Sequence, residues 1–446
     1  MRYARSRSEK SFSLKASPLG TTLLCKAWRV SVSKVRDYRF GRYPTVGIVL
    51  AVWAVVYAVG GSLEGRAEEA RVRRLRFRHH VIDVGVEGRG FGQTALGDLT
   101  GDGRPEFVMG VSGGQIYVYE YQSPERWVRY RVGENSPSDV GLALLDVDRD
   151  GRLDLVTGGA WYRNGGSLSQ PFERIVFDPK LRGVHDMAVA DLDGDGRLDV
   201  VCLSDRADLR WYRIPDDPRE PWEMISIGPP VHAGLAVGDL NGDGAPDVVR
   251  TNVWFENQER GRKWVEHPIG PSTPPPPDFR PKFAFDATKA RVVDMNGDGR
   301  NDVVFTDAEI PGGKIWWMEN KDGRGTVWQR HDVFVPQPNQ PRRGAFHSLV
   351  VADFTGDGAL DIFSAEMEWV RGAAPPRWYI WENVDGRGHQ WREHVILDVN
   401  LGGHECVAGD VTGDGKLDIL GKPWVPHKDN ALGGKSFVVF LENLSD

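Results

Sequence analysis

The chain has 446 residues, 40% of them hydrophobic and 27% charged, with 53 Gly, 28 Pro and 16 Trp. This mix excludes a polytopic membrane protein and a disordered chain, and it suits one large all-β repeat domain better than three ordinary domains. The net charge of −7 hides a division, because residues 1–44 carry eleven Lys and Arg against Glu9 and Asp37, a net +9 that leaves −16 for the remainder; an acidic body repels phosphate backbones, so no nucleic-acid partner is expected.

The basic head, residues 1–44, precedes an uncharged segment, residues 45–63, whose most apolar part runs from Val46 to Val59. A short apolar run followed by small residues fits a signal-peptide core, with Ala58-Val59-Gly60 as a passable cleavage site; extended to Leu63, it makes a short spanning helix. Cleaved or kept as a membrane anchor, it follows positive charge, so the rest of the chain is expected outside the cytoplasm, in a periplasm, at a cell surface or secreted. Residues 64–74 read as a linker. Cys25, Cys202 and Cys406 offer no disulfide framework, so an exported protein needs another source of stability.

Residues 75–446 hold seven related acidic segments: DLTGDGRPE from Asp98, DVDRDGRLD from Asp146, DLDGDGRLD from Asp191, DLNGDGAPD from Asp239, DMNGDGRND from Asp294, DFTGDGALD from Asp353 and DVTGDGKLD from Asp410. Their starts are 48, 45, 48, 55, 59 and 57 residues apart, the length of one four-stranded propeller blade. A short apolar strand enters each segment and a β-branched strand leaves it. An aromatic strand follows (WYRN from Trp161, WFEN from Trp254, WWMEN from Trp316), and then a fourth of the type WREHVI from Trp391. The seventh unit stops after its third strand, FVVFLEN from Phe437, whereas FRHHVI from Phe77 stands ahead of the first unit and matches the missing fourth strand. The spacing therefore predicts a seven-bladed β-propeller whose N-terminal strand completes the last blade and removes the open edges.

The acidic segments place oxygen side chains at positions 1, 3, 5 and 9, with glycine allowing the turn. The ligands expected for Ca²⁺ are Asp98, Thr100, Asp102 and Glu106; Asp146, Asp148, Asp150 and Asp154; Asp191, Asp193, Asp195 and Asp199; Asp239, Asn241, Asp243 and Asp247; Asp294, Asn296, Asp298 and Asp302; Asp353, Thr355, Asp357 and Asp361; and Asp410, Thr412, Asp414 and Asp418. Hard oxygen donors in that number suit calcium, whereas zinc would take nitrogen or sulfur. Up to seven structural ions are expected, held best in blades 2 and 3, which have the most carboxylates, and weakest in blades 1, 6 and 7; Arg149 adds a cation beside the blade 2 loop. Some of these carboxylates also read simply as turn caps. The segments resemble the FG-GAP/VCBS repeats of integrin-type propellers, and that resemblance implies the fold and the calcium.

The acidic loops join strands 1 and 2 on one face, so the start of strand 1 and the loop between strands 2 and 3 open on the other. There His185, His232, His347 and His404 stand six or seven residues ahead of acidic loops and would ring the mouth of the central channel. Lys289 stands just before strand 1 of blade 5, and Arg250, Asn252, Asp307, Glu309, Glu366, Lys422 and His427 follow second strands. Insertions Pro271 to Lys282, Val335 to Arg343, Glu366 to Arg377 and Lys422 to Lys435 would wall a pocket over blades 4 to 7, where Trp369 and Trp424 could stack on sugar rings. The bland alternative is that a histidine opening strand 1 merely hydrogen-bonds the next blade; the outer-strand His80, His267, His331 and His394 read that way. Imidazole as base, with Lys or Arg neutralising a uronate or an enolate, points to β-elimination, with His185, His232, His347, His404, Lys289, Glu366 and Lys422 as the catalytic candidates. Imidazole and carboxylate together could also hold a second divalent metal. The repeat layout is similar to the propeller of aldos-2-ulose dehydratases and to propeller polysaccharide lyases, without their catalytic strings or cupin domains. A carbohydrate lyase or dehydratase and a non-catalytic carbohydrate-binding or adhesion propeller both stand as readings, with a monomer expected in either case; phosphate-loop, dinucleotide and nucleophilic-serine signatures are absent.

Overall fold

In the computed structural model the described residues are 75–204, 206–270, 288–310, 312–368 and 373–445. The basic head, the apolar segment, the linker, Trp369 and the insertion Pro271 to Lys282 lie outside them. No helix among the described residues is long and apolar enough to cross a membrane.

These residues form seven four-stranded antiparallel sheets, each meandering outward from strand 1 to strand 4. Blade 3 is representative, with strands Val184–Ala190, Asp199–Ser204, Leu209–Arg213 and Glu223–Gly228. Its second strand, DVVCLS, is buried at every position, because neighbouring blades cover both faces and its four central residues, VVCL, are apolar. Its fourth strand faces solvent on one side and alternates. The core is divided into seven clusters, each shared by two adjacent blades. The seam between blades 7 and 1 is one of them, with Phe107, Met109 and Tyr119 packed against Leu420, Val438 and Phe440. The ring is therefore closed.

Closure uses the strand Phe77–Val84, which pairs antiparallel with Phe437–Asn443 from Phe77↔Asn443 to Val84↔Phe437 and completes blade 7. His80 bonds Glu442 at 3.2 Å and stacks on Phe440. The same His–Glu pair recurs as His267–Glu256, His331–Glu319 and His394–Glu382, so the outer-strand histidines are tied to their own blades.

Each acidic loop is also a junction between blades. In blades 2 and 4 to 7 the position-9 carboxylate is buried and accepts two N–H bonds, one from position 2 of its own loop and one from an Asn ending strand 3. Asp247 thus takes Leu240 N–H and Asn257 N–H, both at 2.9 Å. That Asn then donates Nδ2 to the preceding blade, Asn164 to Leu99 O, Asn257 to Leu192 O and Asn320 to Leu240 O, each at 2.8 Å. Indole N–H groups add further clasps, from Trp254 to Gly325 O and from Trp317 to Gly388 O.

Candidate functional site

The position-1 carboxylates of the acidic loops are wrapped by their own turns: Asp239 accepts N–H bonds from Gly242 and Gly244, and Asp353 from Gly356 and Gly358. The carboxyl groups of Glu106, Asp154, Asp199, Asp247, Asp302 and Asp361 are pushed up to about 7, chiefly by burial, which outweighs the backbone hydrogen bonds that lower them, with neighbouring loop carboxylates adding to the rise. In blades 2 and 3 carboxylate oxygens of Asp146, Asp148 and Asp154, and of Asp191, Asp193 and Asp199, lie within 4.8 Å of one another. Asp148 Oδ1 and Thr412 Oγ1, both third-position oxygens, are buried without a hydrogen-bond partner. The donor set and these orphaned oxygens fit Ca²⁺.

Blades 2 and 3 differ from the others in countercharge. The residue before the strand-3 Asn is Glu256, Glu319, Glu382 or Glu442 in blades 4 to 7, but Arg163 in blade 2, and Arg213 takes that place in blade 3. Arg163 pairs with Asp148 and Asp150, and Arg213 with Asp193 at 2.6 Å. The loops richest in carboxylate thus carry a built-in guanidinium, which lessens the advantage that their acidic count predicts. Arg149 instead turns toward Asp216, 3.7 Å away.

The opposite face gathers the strand-1 histidines. Ring centroids are 4.4 Å apart for His185–His232, 5.2 Å for His185–His347 and 3.7 Å for His347–His404, the last pair stacked. Local irregularity aims neighbouring side chains inward as well. The register shifts between Val184 and Asp186, and between His404 and Val407, so in each bulge two consecutive residues reach the channel rather than one. Glu405 takes φ 54°, unusual for a residue other than glycine and held by its surroundings. Gly402, just upstream, lies against the backbone of Glu368, where an added Cβ would fall 2.1 Å from Cα.

Asp186 and Glu405 were not singled out by sequence, although each directly follows a histidine, in the dyads His185-Asp186 and His404-Glu405. Asp186 Oδ1 bonds His185 Nδ1 at 3.0 Å, and its Oδ2 accepts the N–H groups of Gly234 and Leu235. Lys289 Nζ spans the channel from blade 5, 2.5 Å from Asp186 and 2.7 Å from Glu405. Glu309, from the loop after strand 2 of blade 5, lies 3.0 Å from His347 Nε2 and 3.8 Å from His232 Nε2, while Glu405 lies 3.2 Å from His347 Nδ1. Neither nitrogen of His347 makes an aligned hydrogen bond in these contacts.

Burial disfavours charge on His347, but the Glu309 and Glu405 carboxylates outweigh it and push the imidazole up to about 9. Burial alone would raise Glu309; contact with His232 and His347 holds it well below the usual range. His404 is kept neutral by burial and by the nearby charge of His347. Lys289 is raised, because Asp186 and Glu405 offset its burial.

Other expected residues are committed elsewhere. Glu366 accepts N–H bonds from Gly344 and Arg377 and the Tyr379 hydroxyl, bracing a loop rather than entering the cluster. Lys422 donates to Gly92 O and His404 O across the blade 7–1 seam, and burial lowers it to about 8. Arg250 donates to Pro229 O and lies over Phe255. Asp307 accepts Lys314 N–H, and Asn252 is exposed. Trp424 remains 38% exposed, its ring 6.2 Å from that of His404. Beside it a cavity of about 230 Å³ is lined by Met367, Glu368, Pro375, Asn400 and His427, and Glu368 Oε2 lies 4.0 Å from His404 Nδ1.

Lys289→Met is expected to destabilise the fold by about 3–5 kcal/mol, because it strands two buried carboxylates. Urea unfolding checks this, and a loss below about 1 kcal/mol would show that Lys289 is not their counterion.

The family model of an FG-GAP-like repeat matches residues 98–157, 191–249 and 294–364. No curated protein matches the chain. Among solved structures, BBS1N in complex with ARL6DN, soaked with lead, is similar at TM-score 0.51 and 10% identity over 82% of this chain and 97% of that one. The same complex soaked with mercury gives 0.47 and 11% over 83% and 99%. An Agrocybe aegerita lectin that recognises non-reducing terminal N-acetylglucosamine gives 0.48 and 19% over 79% and 85%. At these identities the likeness concerns the fold.

Proposed function

This chain is an FG-GAP repeat propeller protein, and we propose that its channel mouth binds a polyhydroxylated carbohydrate and acts on it by β-elimination, as a lyase or dehydratase. The observation that carries the reading is the convergence of His185, His232, His347 and His404 with Glu309 and Glu405. His232 is the most exposed of these imidazoles, at 19% of its side chain, and is the base of the proposal. It takes the proton from the carbon next to a carbonyl or carboxylate. The C–O bond at the adjacent carbon then breaks, a C=C bond forms, and the departing oxygen is protonated to an alcohol or water.

Two metals belong to the same reading: structural calcium in the acidic loops, and a second divalent ion at the histidine cluster. The protein acts outside the cytoplasm, as a monomer, anchored in a membrane if residues 45–63 are retained. The exposed Trp424 favours a second reading, carbohydrate binding without chemistry, since an aromatic face beside polar groups suffices for that.

The test is to incubate the full chain with uronic-acid polysaccharides and ketosugars and follow ultraviolet absorbance from new C=C bonds. Turnover is expected on at least one, and His232→Ala is expected to lower kcat about 10²–10⁴-fold with the melting temperature unchanged. Binding with no absorbance change across the panel would discard elimination and leave the lectin-like reading.

A further inference from the structure

We propose that His185, His347 and Glu309 form a divalent transition-metal centre at the channel mouth, on the face opposite the calcium loops. It names the ion and ligands of the same cluster and rests on the reading above only for its use in chemistry.

One ligand atom from each of the three residues lies within 4.8 Å of the other two. The second shell that metal-binding imidazoles use is formed for His185, whose Nδ1 bonds Asp186 at 3.0 Å, and is approached for His347, whose Nδ1 lies 3.2 Å from Glu405 without an aligned hydrogen bond. That leaves Nε2 of each ring for an ion. His347 Nε2 is 3.0 Å from Glu309, yet it is fully buried and makes no hydrogen bond, so nitrogen and oxygen face each other out of line for an N–H bond. Once His347 gives up its proton, as a ligand imidazole must, its Nε2 and the Glu309 carboxylate would face each other across one point and hold a cation between them.

Charge points the same way. Asp186, Glu309 and Glu405 bring three carboxylates, against which Lys289 supplies one ammonium; Lys422 is spent on the carbonyls of Gly92 and His404. A divalent ion balances the remainder. The neighbouring group of His347, His404 and Glu405 also comes within ligand distance, but Lys289 sits 2.7 Å from Glu405 and opposes a second cation there. His404 is stacked against His347 rather than turned toward a shared centre.

Two imidazoles and one carboxylate select a borderline metal such as zinc, manganese, iron or cobalt over calcium or magnesium. Three protein ligands leave coordination positions open, as in catalytic sites. His232 lies beside them, 3.8 Å from Glu309, so the substrate carbon would meet the base next to the ion that polarises its carbonyl.

The experiment uses the full chain, stripped with chelator, refilled with saturating calcium and then titrated with Co²⁺ as the probe. One equivalent is expected to bind, with the visible absorption of a nitrogen–oxygen site. Glu309→Gln, a partly exposed position, should weaken binding at least tenfold at unchanged melting temperature, and Asp186→Asn about 10–100-fold. His232→Ala should change it less than threefold. The proposal is overturned if no Co²⁺ binds beyond the calcium loops, if Glu309→Gln leaves affinity unchanged, or if His232→Ala costs as much as Glu309→Gln. Co²⁺ bound as stated without elimination on any carbohydrate sinks the proposed activity and keeps the centre. Elimination that survives loss of the transition metal but not His232→Ala removes the centre from the chemistry and keeps the activity.

Discussion

Removing calcium is expected to lower the melting temperature by about 10–20 °C. An ion held at a hundred times its dissociation constant contributes about 2.7 kcal/mol, so four occupied loops supply about 10 kcal/mol, and a domain of this size moves about 2 °C for each. The buried position-9 carboxylates would otherwise face their loop neighbours unneutralised. Calorimetry in calcium and in excess chelator measures the difference, and calcium returned to the stripped protein should restore it. An unchanged transition would mean that hydrogen bonds alone hold the loops.

Deleting the chain through Val84 is expected to abolish the folded monomer. The strand Phe437–Asn443 would lose its partner, and five consecutive core residues, Phe437 to Leu441, would lie on an open edge. An apolar edge of that kind pairs with other chains. Gel filtration with light scattering should find aggregates or dimers in place of monomer. A monomer melting within a few degrees of the parent would show that the other six seams suffice without closure.

The fold was legible because each unit repeats the same physical problem. The run Asp191 to Asp199 announces a turn between two strands, and FRHHVI matched a vacancy at the other end of the chain. The channel mouth was half legible. A repeat offset located His185, His232, His347 and His404, but the offset assumes regular strands, and bulges turned Asp186 and Glu405 inward where alternation would turn them away. Glu366, Lys422 and Arg250 shared the right loop position, and only packing shows their groups consumed by Gly344, Gly92 and Pro229. Ranking the acidic loops by carboxylate count overlooked Arg163 and Arg213, which are distant in sequence and adjacent in space.

The asparagine clasps bear on how the ring would take up calcium. Asn257 hangs on the blade 4 carboxylate Asp247 through its N–H and on the blade 3 loop through Nδ2, and Asn320 repeats the link one blade on. Filling one loop therefore stiffens the carbonyl that the next blade grips, so neighbouring sites share the ordering cost. Where these clasps run, between blades 1 and 2 and from blade 3 to blade 5, the loops would behave as short one-dimensional lattices with nearest-neighbour coupling. Their calcium uptake should be steeper than that of independent loops, and its loss should spread from the weakest link.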